Sequence, residues 1–271
     1  MLDYMYITNN VDIAKICENV GITRVWIDLE TLGKAERQKN MNTVKSHHTI
    51  DDIRKIKPVL KNSKLQVRVN PINPNSYEEI NEVINAGADY IMLPMFTTKE
   101  EVEKFVSYVN GRCKTILLFE TDKSIDNIES ILSVKGIDEA HIGLNDLHLC
   151  YHMKFMFQLL ANGKVEEICE HFKRKGIPYG FGGVAKIDTG TLSANMILTE
   201  HKRLGSTRVI LSRGFYNPEI EGYENAERIL KNEYDKMTNF VNNLDNLPNE
   251  SFKSNHEKVI ETVENIIKGM N

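Results

Sequence analysis

The sequence predicts an α/β fold, a TIM (β/α)8 barrel with an additional C-terminal helix. Three observations carry this. Eight short apolar runs alternate with amphipathic helical stretches. A glycine recurs between the end of a helix and the start of the next run. The runs are apolar almost throughout, as strands covered on both faces must be. Eight β/α units in about 250 residues is the arithmetic of such a barrel. An open doubly wound sheet is the alternative, but no G-x-G-x-x-G follows the first strand.

The strands are expected at Tyr4–Ile7, Arg24–Glu30, Leu65–Asn70, Tyr90–Met95, Thr115–Glu120, Ala140–Gly143, Pro178–Gly182 and Arg208–Ser212. Gly21, Gly87, Gly111, Gly136, Gly176 and Gly205 punctuate the approach to six of them, with Asn62 in that place before Leu65. A helix often ends on a left-handed residue, which glycine adopts without a Cβ penalty. In the helical stretch from Thr98 to Gly111, Val102, Phe105, Val106 and Val109 recur at i, i+3, i+4 and i+7. Thr98 with Glu101 reads as a capping box at its start, and Ser76 with Glu79 repeats the signal. Residues 1–241 therefore make the barrel. Residues 242–255 are polar and turn-rich and read as a linker. Residues 256–271 make a last helix with Val259, Val263, Ile266 and Ile267 on one stripe. A closed barrel has no obvious place for that stripe, so it is expected against a second subunit of a homo-oligomer.

Composition narrows the function. The 271 residues suffice for a full core. At 41% hydrophobic and 27% charged, the chain is ordinary for a globular protein. A net charge of −4 argues against a nucleic-acid partner. The longest apolar run, Tyr90 to Phe96, is far short of a membrane span, so no membrane partner is expected. Met1 to Tyr4 shows no basic start of a secretory signal. Cys17, Cys113, Cys150 and Cys169 have no C-x-x-C spacing, which argues against a zinc or redox motif and fits free thiols in the cytoplasm.

In this fold the chemistry lies at the C-terminal ends of the strands. Those ends carry Asp28-Leu29-Glu30, Arg68, Glu120-Thr121, Gly143-Leu144-Asn145-Asp146 and Ser212-Arg213. Arg68, Pro94, Glu120 and Asp146 are each 26 residues apart, a spacing that places them at similar heights. Two neighbouring carboxylates, Glu120 and Asp146, repel unless a cation lies between them. Hard oxygen donors suit Mg²⁺ or Mn²⁺. The competing reading is a structural ion pair between Glu120 and Arg68.

Six short blocks in register then add a resemblance. Phe119-Glu120-Thr121, Gly136-Ile137-Asp138 and Ile142-Gly143-Leu144-Asn145-Asp146-Leu147 resemble the HpcH/HpaI aldolase and citrate lyase β-subunit family. Ile27-Asp28-Leu29-Glu30, Val67-Arg68-Val69-Asn70 and Gly87 to Pro94 agree with it across residues 20 to 215. The resemblance implies class II chemistry on pyruvate-type 2-oxo acids. It implies that Glu120 and Asp146 hold a divalent ion, Mg²⁺ first and Mn²⁺ or Co²⁺ after it, which chelates substrate as a Lewis acid. Charge developing on the enolate oxygen would be met by the ion and by Arg68. Backbone N–H groups of Leu144, Asn145 and Asp146 would bind a carboxylate if they open a helix.

One departure bears on the acid/base. Pyruvate aldolases of this family often carry E-H after the second strand, whereas Glu30 is followed here by Thr31. Glu30 remains a candidate, and His47 and His48, in the loop from Thr31 to His48, can exchange a proton near neutral pH. His48 is favoured. Lys34, Arg37 and Gln38 share that loop and could bind substrate, while His148 and His152 follow the metal segment. His141 reads as a core residue. Gly182 and Gly183, where the seventh strand ends, with Arg213 at the end of the eighth, form a candidate subsite for a phosphate or second carboxylate.

The sequence thus predicts a cytoplasmic, divalent-metal-dependent carbon–carbon lyase of the aldolase type. Its partners would be a 2-oxo acid, pyruvate or oxaloacetate, and an aldehyde. Oxaloacetate decarboxylation, citrate-lyase-like chemistry and a 2-oxo-acid-binding barrel without catalysis are the alternatives.

Overall fold

The computed structural model describes residues 2–33 and 47–270. Eight parallel strands, β1 (Asp3–Ile7), β2 (Arg24–Asp28), β3 (Lys64–Arg68), β4 (Tyr90–Leu93), β5 (Lys114–Phe119), β6 (Glu139–Ile142), β7 (Tyr179–Val184) and β8 (Arg208–Leu211), close a barrel in chain order. Each expected strand is present. Glu30, Asn70 and Met95 lie beyond the strand ends.

The helices are α1 (Val11–Val20), α2 (Ile50–Ile56), α3 (Ser76–Asn85), α4 (Lys99–Val109), α5 (Asp122–Asp126), α6 (Ile128–Ile131), α7 (Leu144–Cys150), α8 (Gln158–Ala161), α9 (Lys164–Lys175), α10 (Ala194–Leu204), α11 (Pro218–Glu221), α12 (Ala226–Leu244) and α13 (Asn249–Lys268). None is long and apolar enough to cross a membrane among the described residues. All six punctuating glycines have positive φ. At Gly21, φ is 96° and its N–H donates to the Cys17 and Glu18 carbonyls, closing α1. Asn62 does something else: its amide groups donate to the Glu18 carboxylate.

The capping box of α4 is present: Thr98 Oγ accepts from Glu101 N–H, and a Glu101 oxygen accepts from Thr98 N–H. The second expected box is not formed. Ser76 already lies within α3 behind Asn75, and Glu79 accepts from both the backbone and side-chain amides of Asn70. A tertiary partner captured the carboxylate that the local motif had assigned to a cap.

The register refines the reading of equal spacing. Gln66, Tyr90 and Lys114 pair across β3, β4 and β5, so the register repeats every 24 residues. Residues 26 apart advance two positions per strand. Because side chains alternate sides with period two, Arg68, Pro94 and Glu120 keep the same facing.

The chain divides into two compact units, Tyr6–Ala140 and Met1–Met5 with His141–Asn271. In the first, the core includes Ile27, Val67, Ile91, Leu117 and Phe119 from the strands and Ile53, Val83 and Phe105 from the helices. In the second, Phe172, Phe181, Val209 and Leu230 are buried.

The tail differs from the sequence expectation. The proposed linker, 242–255, is mostly helical: α12 runs to Leu244 and α13 starts at Asn249, leaving residues 245–248 between them. The apolar stripe of α13 has a partner within its own chain. The helix packs on α10 and α8, and Val259 and Val263 are buried there, with Ile266 and Ile267 partly covered. Charge secures the contact. Asn255 and His256 reach Glu200, which is fully buried and also holds Arg203. Val259 and Val263 are thus covered within the chain itself, while Ile266 and Ile267 stay partly open.

Candidate functional site

In the first unit the polar groups gather where β2 and β3 end. The register sets Asp28 opposite Arg68. Arg68 Nε donates to Asp28 Oδ1 and Nη2 to Oδ2, both at 2.8 Å, a side-on fork. Nη2 also lies 3.3 Å from Glu30 Oε2, and the guanidinium carbon sits 5.3 Å from the Trp26 ring. Nη1 meets no protein partner among the described residues. Burial alone would lower the guanidinium pKa. Asp28 first, then Glu30 and Glu120, outweigh it and hold Arg68 above its ordinary value. Asp28, Glu30 and Glu120 are each only 2% exposed. The ion pair weighed for Glu120 thus belongs to Asp28 and Glu30, and Glu120 acts on Arg68 through space.

His48 is tied to the same strand end. The Asp28 N–H donates to His48 Nδ1 at 3.0 Å. A backbone N–H can only donate, so a neutral ring carries its proton on Nε2. That geometry suits His48 as a hydrogen-bond donor through Nε2 better than as a base. His47 is exposed. Lys34, Arg37 and Gln38 lie outside the described residues. The start of their loop is pinned: Asn70 Oδ1 accepts from the N–H groups of Thr31 and Leu32.

Glu120 follows β5 directly. Its Oε1 accepts from the Met95 N–H at 3.1 Å. Met95 has a φ of 55°, a left-handed conformation that costs a residue with a Cβ about 1–2 kcal/mol. Next to it, Phe96 packs edge-on against Phe119 at 5.0 Å, and its carbonyl accepts from Thr121 Oγ. Residues on both sides of Glu120 therefore grip the same turn.

In the second unit Leu144, Asn145 and Asp146 are the first three residues of α7, behind Gly143. First-turn N–H groups have no carbonyl within the helix to bond, and they suit an anion. His148 turns inward, its Nδ1 against the Leu144 carbonyl at 3.1 Å. His152 is exposed at a φ of 53°. His141 is buried, with Nε2 against the Gly182 carbonyl, as a core residue would be. Arg213 is exposed in the turn after β8.

The glycine subsite needs correction. Gly182 and Gly183 are not in a loop beyond the seventh strand but inside β7, at a register slip against β8. A Cβ on Gly182, whose φ is +54°, would lie 2.7 Å from a Leu144 methyl. One on Gly180 would lie 2.3 Å from the Arg208 carbonyl oxygen. Close packing accounts for Gly180 and Gly182.

Sequence reasoning missed three contributors. Asp28 was quoted in a motif without a role, Asn70 likewise, and the Met95 N–H was invisible because a backbone donor leaves no residue-type signal. A cavity of about 410 Å³ lies at the opposite strand ends, lined among others by Asp89, Cys113, Lys114 and Asp138, away from these groups.

The fit to a divalent ion can be judged from the donors present. Among the described residues no group of three or more His, Cys, Asp or Glu side chains is arranged to hold a metal. Glu120 is a buried oxygen donor oriented by the Met95 N–H. Such sites suit Mg²⁺, which is commonly held by one or two carboxylates, with water and substrate completing its shell.

Solved structures share the fold. An HpcH/HpaI aldolase from Desulfitobacterium hafniense DCB-2 superposes with a TM-score of 0.62 at 17% identity, covering 92% of this chain and 94% of that one. The citrate synthase SbnG gives 0.61 at 16% identity, covering 87% and 94%. RipC from Yersinia pestis gives 0.58 at 12% identity, covering 86% and 95%. No curated protein matches. The family model for HpcH/HpaI aldolase/citrate lyase matches residues 4–157, more than half of the sequence, and the chain belongs to that family.

Proposed function

We propose that the protein is a divalent-metal-dependent carbon–carbon lyase of the aldolase type, acting on a pyruvate-type 2-oxo acid through an enolate. The observation that carries this reading is the buried cluster of Arg68 with Asp28, Glu30 and Glu120, in a chain of this family. Glu120 and Asp146, the pair the resemblance points to, are the proposed ligands. The ion, when bound, supplies Lewis-acid stabilisation of charge developing on the 2-oxo oxygen.

The protein groups do the rest. Asp28 grips Arg68 side-on, which leaves Nη1 to donate to the same oxygen as it becomes anionic. Glu30 and Asp28 keep the guanidinium aimed and charged. His48, held at Nδ1, offers Nε2–H to a substrate oxygen. The first-turn N–H groups of α7 receive a carboxylate.

A second reading is oxaloacetate chemistry, condensing or decarboxylating. Two points favour it: Thr31 stands where the resemblance leads one to look for the His that pyruvate aldolases often carry, and one protein of the same fold is a citrate synthase.

The test is proton exchange. Wild-type enzyme in D₂O should label the methyl group of pyruvate with Mg²⁺ or Mn²⁺ and stop with EDTA. Glu120→Gln should abolish that exchange while its circular dichroism stays unchanged. Full exchange in the variant, or in chelated enzyme, would remove the metal assignment. Exchange on oxaloacetate alone selects the second reading.

A further inference from the structure

Among the non-glycine residues with positive φ, Met95 is unlike Asn110, His152 and Asp188. Those residue types enter the left-handed region more readily than others. Met95 follows Pro94 at the end of β4 and caps no helix. Strain of this kind persists when the surroundings over-determine it, and it clusters at functional sites. Here the surroundings are explicit. Phe96 is buried and packs on Phe119, its carbonyl accepts from Thr121 Oγ, and the Met95 N–H donates to Glu120 Oε1. Three successive residues at the end of β5, 119–121, hold two successive residues after β4, 95–96.

We propose that Met95 is a positioning residue, whose left-handed backbone aims its N–H at Glu120 and so sets the rotation of the carboxylate toward the bound cation. This rests on the metal reading above and deepens it. The hydrogen bond engages Oε1 and thereby orients the carboxylate plane, the usual way an outer partner tunes a ligand. The side chain of Met95 is incidental. What counts is that the residue keeps both its N–H and its positive φ. This explains how a strained non-glycine residue can sit beside a candidate ligand.

Mn²⁺ affinity, read by electron paramagnetic resonance on the full chain without substrate, tests this. Met95→Gly retains the N–H and relieves the strain, so it should keep wild-type affinity. Met95→Ile, β-branched and averse to positive φ, should bind Mn²⁺ at least about tenfold more weakly while remaining folded. Replacing Met95 by its α-hydroxy acid changes only the N–H to an ester oxygen, and should cost about tenfold or more. Glu120→Gln calibrates the site by losing Mn²⁺. If the ester form binds like wild type while Glu120→Gln does not, the positioning role is overturned and the metal reading stands. If Glu120→Gln binds like wild type, both fall.

Discussion

Strand β2 begins and ends with a buried Arg–carboxylate pair, and the two ends are built differently. At the start, Arg24 meets Glu139 end-on, Nη1 at 2.6 Å and Nη2 at 2.9 Å, with its carbon 4.1 Å over the Tyr90 ring. At the finish, Asp28 takes Arg68 side-on, through Nε and Nη2. The end-on fork spends both terminal nitrogens of Arg24 on the protein. The side-on fork keeps Nη1 of Arg68 in reserve and adds Glu30 and Glu120 to its field. Distance and burial are alike at the two ends, and the direction of the fork is what differs.

The largest effect should come from the structural end. Arg24→Met leaves Glu139 buried without its guanidinium, which should cost about 3–5 kcal/mol in urea unfolding. Activity per folded molecule should survive. The double variant Arg24→Met/Glu139→Met should recover much of the loss, because replacing both partners removes the unpaired charge. A stable but inactive Arg24→Met would break the comparison.

The functional end should behave the opposite way. Arg68→Lys keeps a charge but not the fork, and turnover should fall by about tenfold or more, about 1.4 kcal/mol of transition-state stabilisation. Unfolding midpoints should move little by comparison. Unchanged turnover would give Arg68 the same structural role as Arg24.

Acid titration of either variant runs over a gentler slope set elsewhere. His201 is buried, stacked on Phe181 at 3.8 Å, and burial with the nearby His141 pushes its pKa down to about 3. The unfolded chain binds a proton there below about pH 6.5 and the folded chain does not. Its contribution to stability is therefore complete above about pH 6.5 and lost as the pH falls toward about 3, by at most about 1.4 kcal/mol per pH unit. His201→Phe should flatten that slope in denaturation series. An unaltered slope would assign the acid sensitivity to other groups.

The α10 surface illustrates what was not legible. The stripe of Val259, Val263, Ile266 and Ile267 was visible as helical periodicity, yet its partner was not, since periodicity records that a face is buried and not by what. Glu79 shows the same limit. As a cap for Ser76 it was a local reading, and Asn70 outcompeted that reading from six residues before Ser76 in the chain, across a turn.

The sequence by itself determined the alternation of strand and helix, the six left-handed glycines, the closed barrel order and the family blocks. Each is written in short-range patterns, where backbone sterics and burial leave little choice. Only the tertiary structure decided that Arg68 belongs to Asp28, that His48 Nδ1 meets the Asp28 N–H, that Met95 holds Glu120 and that α13 packs on its own chain. Those outcomes depend on a 24-residue register and on turns that bring distant groups within about 3 Å of each other, the range in which hydrogen bonds form. A spacing of 26 residues in the sequence preserves which side a residue faces. It does not determine which partner it meets there.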